Sequence, residues 1–173
     1  MRRTGRCQAF AFILIGAALL SGCGFKPLYY RGGAETSEVV DKLGTIYIYP
    51  LEDRTGQQMH NLLRDRLNPR GQPTGATYGL KVTLTETLLA LSIRQDATAT
   101  RNNLTVKATY TLYDLDSGKT LYSGSSRSTN SYDILENQFA TSVAEADARK
   151  RSLRVLSDAV KTRLAVYFST TGS

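Results

Sequence analysis

Residues 104–129 read LTVKATYTLYDLDSGKTLYSGSSRST. Leu104, Val106, Ala108, Tyr110 and Leu112 alternate with Thr105, Lys107, Thr109 and Thr111. A period of two among β-branched and aromatic residues predicts a long strand with one buried face and one open face. Asp116-Ser117-Gly118 carries turn chemistry, so Lys119 to Thr129 should return as the second arm of a hairpin. Upstream, Tyr78, Leu80, Val82 and Leu84 keep the same period against Gly79, Lys81, Thr83 and Thr85, after which the apolar phase moves to Leu89, Leu91 and Ile93. A phase change inside one strand predicts a bulge or sharp bend near Thr87-Leu88.

Two helical patterns and one short strand surround this antiparallel core. Thr45 to Tyr49 is β-branched and aromatic and is closed by Pro50, a short strand. Met59, Leu62, Leu63 and Leu67 recur at helical spacing from about Thr55 to Leu67, with Asp65 and Arg66 on the other side, and Asn68-Pro69 ends the run. Phe139, Val143, Ala146, Leu153, Leu156, Val160, Leu164 and Tyr167 fall at steps of three, four and seven, which predicts a helix of about eight turns across a gap at Lys150. The expected fold class is α+β: a two-layer sandwich, order β-α-β-β-β-α, whose mostly antiparallel four-stranded sheet is covered by two helices.

The N-terminus has a different character. Ala9 to Leu20 is an unbroken apolar run preceded by Arg2, Arg3 and Arg6, the layout of a secretory signal. Twelve residues at about 1.5 Å each reach roughly 18 Å, short of a hydrocarbon core of about 30 Å. Leu20-Ser21-Gly22-Cys23 then matches the lipobox of bacterial lipoproteins at every position. That match implies cleavage before Cys23, a diacylglyceryl group on its thiol and acylation of the new amine. Several acyl chains at about 0.8 kcal/mol per buried methylene anchor a protein durably. Gly24 in place of Asp favours the outer membrane over retention at the inner one. The expected organisation is a signal peptide at 1–22, the lipidated Cys and a tether at 23–43, and one domain at 44–173. Phe25, Leu28, Tyr29 and Tyr30 are unusual for a flexible linker, so the start of the tether is expected to pack against something.

Cleavage also changes the arithmetic of the whole chain. The 173 residues carry 22 Lys and Arg against 15 Asp and Glu, a formal charge of +7, with two Cys and one His. Loss of three arginines with the signal leaves 19 basic residues, a charge of +4 and 151 residues, Cys23 being the remaining Cys. A mildly basic, thiol-free, lipidated chain is not expected to bind nucleic acid or to hold a disulfide. Two Cys and one His scattered along the chain do not supply zinc-ligand spacing, and no phosphate-binding glycine loop is present, so neither metal nor cofactor is expected. His60 has no partner nucleophile in sequence, and Asp114 and Asp116 lie where turn geometry wants Asp. No catalytic residue is expected.

The cations are the informative polar residues. Arg149, Lys150, Arg151 and Arg154 cluster on the last helix and read as a solvated face balanced by Glu145, Asp147 and Asp158. Arg94 and Arg101 bracket the polar stretch Gln95 to Thr100 and read either as strand-end residues that fork around phosphate oxygens or as residues that serve solubility and edge protection. Lys107, on the polar side of its strand, and Arg127, in the returning strand, stand behind them. The Thr- and Tyr-rich strand faces read either as ordinary sheet surface or as a flat binding face.

The mature sequence resembles the LPS-assembly outer-membrane lipoproteins of the LptE family. The resemblance rests on Cys23-Gly24-Phe25-Lys26-Pro27-Leu28-Tyr29, on Arg54-Thr55-Gly56-Gln57-Gln58 leading into Leu62-Leu63-Arg64-Asp65-Arg66-Leu67, and on the last helix ending Arg163-Leu164-Ala165-Val166-Tyr167-Phe168. It implies a non-enzymatic protein that sits in the LPS-inserting outer-membrane β-barrel as a 1:1 hetero-complex, helps it fold, and contacts lipopolysaccharide. It further implies a chain held at the periplasmic leaflet of the outer membrane by its N-terminal acyl chains. Arg94, Arg101, Lys107 and Arg127 are the residues expected to meet LPS. The alternative is an accessory lipid- or peptide-binding lipoprotein of another envelope transport system, which would display a deep apolar pocket.

Overall fold

The alternation in residues 104–112 sorts side chains as expected: Leu104, Val106, Ala108, Tyr110 and Leu112 are buried, and Lys107 and Thr109 are exposed. The computed structural model describes residues 34–93 and 99–171. They belong to one compact unit, Gly32–Ser173; the other unit, Met1–Arg31, lies outside the described residues. The elements are α1 (Ala34–Gly44), β1 (Ile46–Ile48), α2 (Asp53–Leu67), β2 (Tyr78–Ile93), β3 (Ala99–Asp114), β4 (Thr120–Asp133) and α3 (Gln138–Thr171). The sheet runs β1-β2-β3-β4. β2, β3 and β4 pair antiparallel, whereas β1 lies parallel to β2 through Ile46↔Tyr78 and Ile48↔Leu80. A parallel neighbour requires a crossover, and α2 with its flanking loops provides it. The β-α-β-β-β-α sandwich is therefore present, with a mixed sheet and one further helix ahead of it.

That further helix corrects the expected tether. Chain assigned to an irregular linker up to Leu43 becomes helical at Ala34, and Leu43 is 5% exposed. Few of the 11 residues of α1 are apolar, too few for a helical period to stand out, and a Glu38–Lys42 ion pair at 2.7 Å supports its exposed side. Residues 23–33, with Cys23, lie outside the described residues.

The bulge is also displaced. β2 passes Thr87 and Leu88 in register with Thr105 and Leu104, and its register shifts fall between Ala90 and Ile93. The apolar phase change has another cause: β2 outruns its helical cover. Leu88, Leu89 and Leu91 are at least half exposed, so neither face is buried there and alternation no longer reports one.

α3 lies antiparallel to β4 and packs on β4 and β3. Near its start Tyr132 Oη donates to Glu145 at 3.3 Å, further along Asn130 Nδ2 donates to Ser152 Oγ at 2.8 Å, and near its end Tyr122 and Tyr167 stack at 5.3 Å. Leu153, Leu156, Val160 and Leu164 meet Met59 and Leu63 of α2 and the inner row of β3 in one apolar core. The buried Asn68 ends α2 and donates to the carbonyls of Gly44 and Ile46 at 3.0 and 3.1 Å, stapling that end to β1. Gln72 grips Ile48 through both backbone groups.

Candidate functional site: the open face of the sheet

With both long helices on one side, the other face of the sheet is uncovered by any described element. The period of two places Lys81, Thr83, Thr85 and Thr87 of β2 on it, with Thr105, Lys107, Thr109 and Thr111 of β3 and Ser123, Ser125, Arg127 and Thr129 of β4. Hydroxyl groups pair across the strands: Thr105 with Thr129 at 2.9 Å and Ser123 with Thr111 at 3.4 Å. The register then puts Lys107 directly opposite Arg127, with Thr85 on its other side. Lys81, Lys107 and Arg127 are all exposed, and among the described residues no carboxylate lies within ion-pair distance of any of them. Such a face offers two adjacent cations flanked by hydroxyl donors, the chemistry that binds phosphate or carboxylate oxygens.

The four cations expected from sequence fare differently. Lys107 and Arg127 are brought together. Arg101 lies near the start of β3, which begins at Ala99, and its guanidinium donates to Asp133 at 2.9 Å at the end of the same face. Arg94 lies outside the described residues. Lys81 was missed, although its position within the polar half of the Tyr78–Thr85 alternation already placed it on this side.

Two of the four cations of the α3 cluster, Arg149 and Arg151, are neutralised by ion pairs. Arg149 Nε donates to both oxygens of Glu86 at 2.9 and 3.0 Å, and its Nη2 donates to Glu145 at 2.7 Å; these hydrogen bonds hold its guanidinium pKa above the ordinary value. Arg151 pairs with Asp147 one turn back. Asp158, expected to balance the cluster, instead accepts from Arg66 of α2, and that bond holds its carboxyl below the usual carboxylate range. Asp114 Oδ1 accepts from the Ser117 N–H and hydroxyl, both at 2.7 Å, which lowers its pKa in the same way and gives it a turn-forming role. His60 is half-buried, with Nε2 3.5 Å from Gln72 Nε2. Among the described residues no group of three or more His, Cys, Asp or Glu could hold a metal ion, and no helix is long and apolar enough to cross a membrane.

A groove of about 840 Å³ opens beside β2 where β1 stops. Leu51, Val82, Leu84 and Leu115 line it together with Glu52, Asp53, Lys81 and Asp114, so it is not the deep apolar pocket of a self-sufficient lipid carrier.

Fold and face together define a small α+β domain that presents a hydroxyl-rich, cationic open sheet. Residues 43–164 match the family described as LptE, lipopolysaccharide-assembly, and the chain belongs to that family of non-enzymatic envelope lipoproteins. The chain is 26% identical over 159 residues to the uncharacterized protein RP188 of Rickettsia prowazekii (strain Madrid E), covering 92% of this chain and 97% of that protein. Its fold is similar to the crystal structure of a Caulobacter crescentus CB15 protein assigned as a lipoprotein, at a TM-score of 0.65 with 23% identity, over 76% of this chain and 96% of that one. It is also similar to rare lipoprotein B from Shewanella oneidensis, at a TM-score of 0.58 with 13% identity, over 74% and 97%. These two structural likenesses establish the fold.

Proposed function

We propose that this chain works in lipopolysaccharide assembly as an outer-membrane lipoprotein. Acylated Cys23 anchors it to the periplasmic leaflet, and its body fills the lumen of the LPS-inserting β-barrel in a 1:1 complex, where it helps the barrel fold. Lys107 and Arg127, with Lys81, contact the anionic headgroup of LPS; Arg94 joins them, and Arg101 contributes by exchanging Asp133 for a phosphate. The observation that carries this reading is the open sheet face, where hydroxyl groups suit a water-lined lumen and two adjacent cations lack carboxylate partners among the described residues. Membrane anchoring supports it by keeping the body at high effective concentration near its partner. Extraction from membranes in mild detergent tests the partnership: a β-barrel much larger than this chain should co-purify in equal amount, and recovery of monomer alone would refute the plug. Arg127→Thr and Lys107→Thr test the contact, since each should weaken binding of purified LPS while the fold is kept.

A further inference from the structure

The two edges of the sheet are built differently. β1 ends at Ile48; the Tyr49 N–H still donates to the Leu80 carbonyl at 3.0 Å, and Pro50 has no N–H to continue. Beyond Leu80, β2 runs on to Ile93, and among the described residues no strand pairs with it on that side. Backbone groups of an antiparallel strand alternate in direction, and the Leu80 carbonyl points to β1. Val82, Leu84, Glu86, Leu88 and Ala90 therefore turn their N–H and C=O groups outward. That is a strip of about 30 Å of open ladder at ~3.4 Å per residue.

Exposed edges are normally blunted by charged side chains, Pro or bulges. β4, the opposite edge, carries Arg127 and is otherwise mainly hydrophilic. β2 carries such devices mainly at its ends, Lys81 before the strip and the register shifts at Ala90–Ile93 after it. From Val82 to Leu91 its one charge is Glu86, already bound by Arg149, and Leu88, Leu89 and Leu91 are 53%, 61% and 50% exposed. At its near end the strip opens into the groove over Leu51, Val82 and Leu84.

We propose that the β2 edge from Val82 to Ala90 receives an extended strand of the partner protein, which adds to the sheet where β1 leaves off. The inference rests on the barrel-partner reading above and names the contact. Outward backbone groups at strand spacing can be paired in series by a polypeptide, whereas an acyl chain satisfies none of them. The neutralised Glu86 and the apolar neighbours call for an incoming strand that is uncharged and apolar on its helix-side face, with its first side chain in the groove.

Hydrogen exchange followed residue by residue tests this on the full chain, free and in the detergent-purified complex. The amides of Val82, Leu84, Glu86 and Leu88 should exchange at least about tenfold more slowly in the complex. Leu88→Pro removes one outward N–H and leaves the ladder to β3 intact, so the melting temperature should hold while recovery of the partner falls. Leu88→Lys, which keeps the backbone N–H, should lower recovery in the same way by charging the edge. Edge amides that exchange equally fast in a recovered complex overturn this inference alone. Protection already present in the free chain, or a dimer in light scattering, overturns it in favour of another occupant. Absence of any barrel partner overturns this inference and the proposed function together.

Discussion

Lys107 and Arg127 face one another in register across β3 and β4. Side chains directly opposite on neighbouring strands approach within about 5 Å at Cβ, and a like-charged pair there costs roughly 0.2–1 kcal/mol. Nothing in the fold requires the two charges, since the rows on either side are Thr109–Ser125 and Thr105–Thr129 and close without them. Arg127→Thr is therefore expected to raise the melting temperature by about 1–3 °C while weakening LPS binding roughly tenfold or more, the scale of a lost charge-assisted hydrogen bond. Lys107→Thr should behave alike, and the double variant should gain little further stability, because relieving either charge relieves the pair. Thermal unfolding and LPS titration on the same four proteins check this; a destabilised Arg127→Thr would show the pair to be structural.

Arg149 calls for the opposite outcome. Its guanidinium joins Glu86 of β2 to Glu145 on its own helix while only 24% exposed, so it fixes α3 against the sheet. Arg149→Ala leaves Glu86 and Glu145 close to one another without their cation and should cost about 1.5–3 kcal/mol. Arg149→Lys should recover only part, because an ammonium cannot fork to both oxygens of Glu86 and still reach Glu145. Arg151→Ala, two residues on, should stay within about 0.5 kcal/mol, its pair with Asp147 being exposed. Denaturant unfolding of the three variants separates the one structural cation from its neighbours.

The contrast between these cations marks what was legible in the sequence. Alternation from Leu104 to Leu112 fixes which side each residue takes, so Lys107 could be placed on the open face before any coordinates, whereas the Ser-rich return strand has no apolar period to place Arg127. Their opposition was not legible either, because it depends on register, and register depends on the turn at 114–119 and on the irregularity at Leu112–Tyr113. The ion pair of Arg101 was hidden for the same reason. Its partner Asp133 lies 32 residues away, and only the paired strands bring them together. Asp158 seemed a local counter-ion for the α3 cluster, yet Arg66, 92 residues away, takes it. Local periodicity encodes elements and faces; long-range ion pairs follow from packing, which no spacing rule reports. α1 escaped because too few of its residues are apolar for a helical period to stand out, and the Leu88–Leu91 stretch misled because nothing among the described residues covers it.

The Arg66–Asp158 clamp gives stability a pH dependence of known sign. Hydrogen bonding to Arg66 lowers the folded pKa of Asp158, and the Ser117 N–H and hydroxyl lower that of Asp114. Both contributions are complete above the unfolded carboxylate value of about 3.9 and are lost as pH falls through the lower folded values. The melting temperature should hence be flat in this respect from neutrality to about pH 5 and fall below about pH 4. Asp158 is 63% exposed, so its share is roughly 0.2–1 kcal/mol. Asp158→Asn should flatten the acid limb by that amount and leave the protein slightly less stable at neutral pH. An unchanged acid limb in this variant would show that the clamp is too solvated to matter.

Gly124 tests how tightly the core beneath the open face is set. A Cβ on Gly124 would lie 2.9 Å from Cζ and Oη of Tyr110, closer than real contacts allow. Tyr110 is 1% exposed and begins an aromatic row that continues through Tyr122 at 6.2 Å to Tyr167 and Phe168 of α3, so its ring has nowhere to swing. Gly124→Ala should therefore cost about 1–3 kcal/mol by overpacking, although alanine is the better strand residue. Gly75→Ala, with no neighbour within 4 Å of its added Cβ, should stay within about 0.5 kcal/mol. Replacing Tyr110 by Leu in the Gly124→Ala background removes the clashing end of the ring and should restore part of the loss relative to Tyr110→Leu alone. Equal stability of Gly124→Ala and the parent would mean that β4, as an edge strand, can lift away from Tyr110. In that case Arg127, three residues along the same strand, would not be held rigidly opposite Lys107, and the effects predicted for that pair should shrink with it.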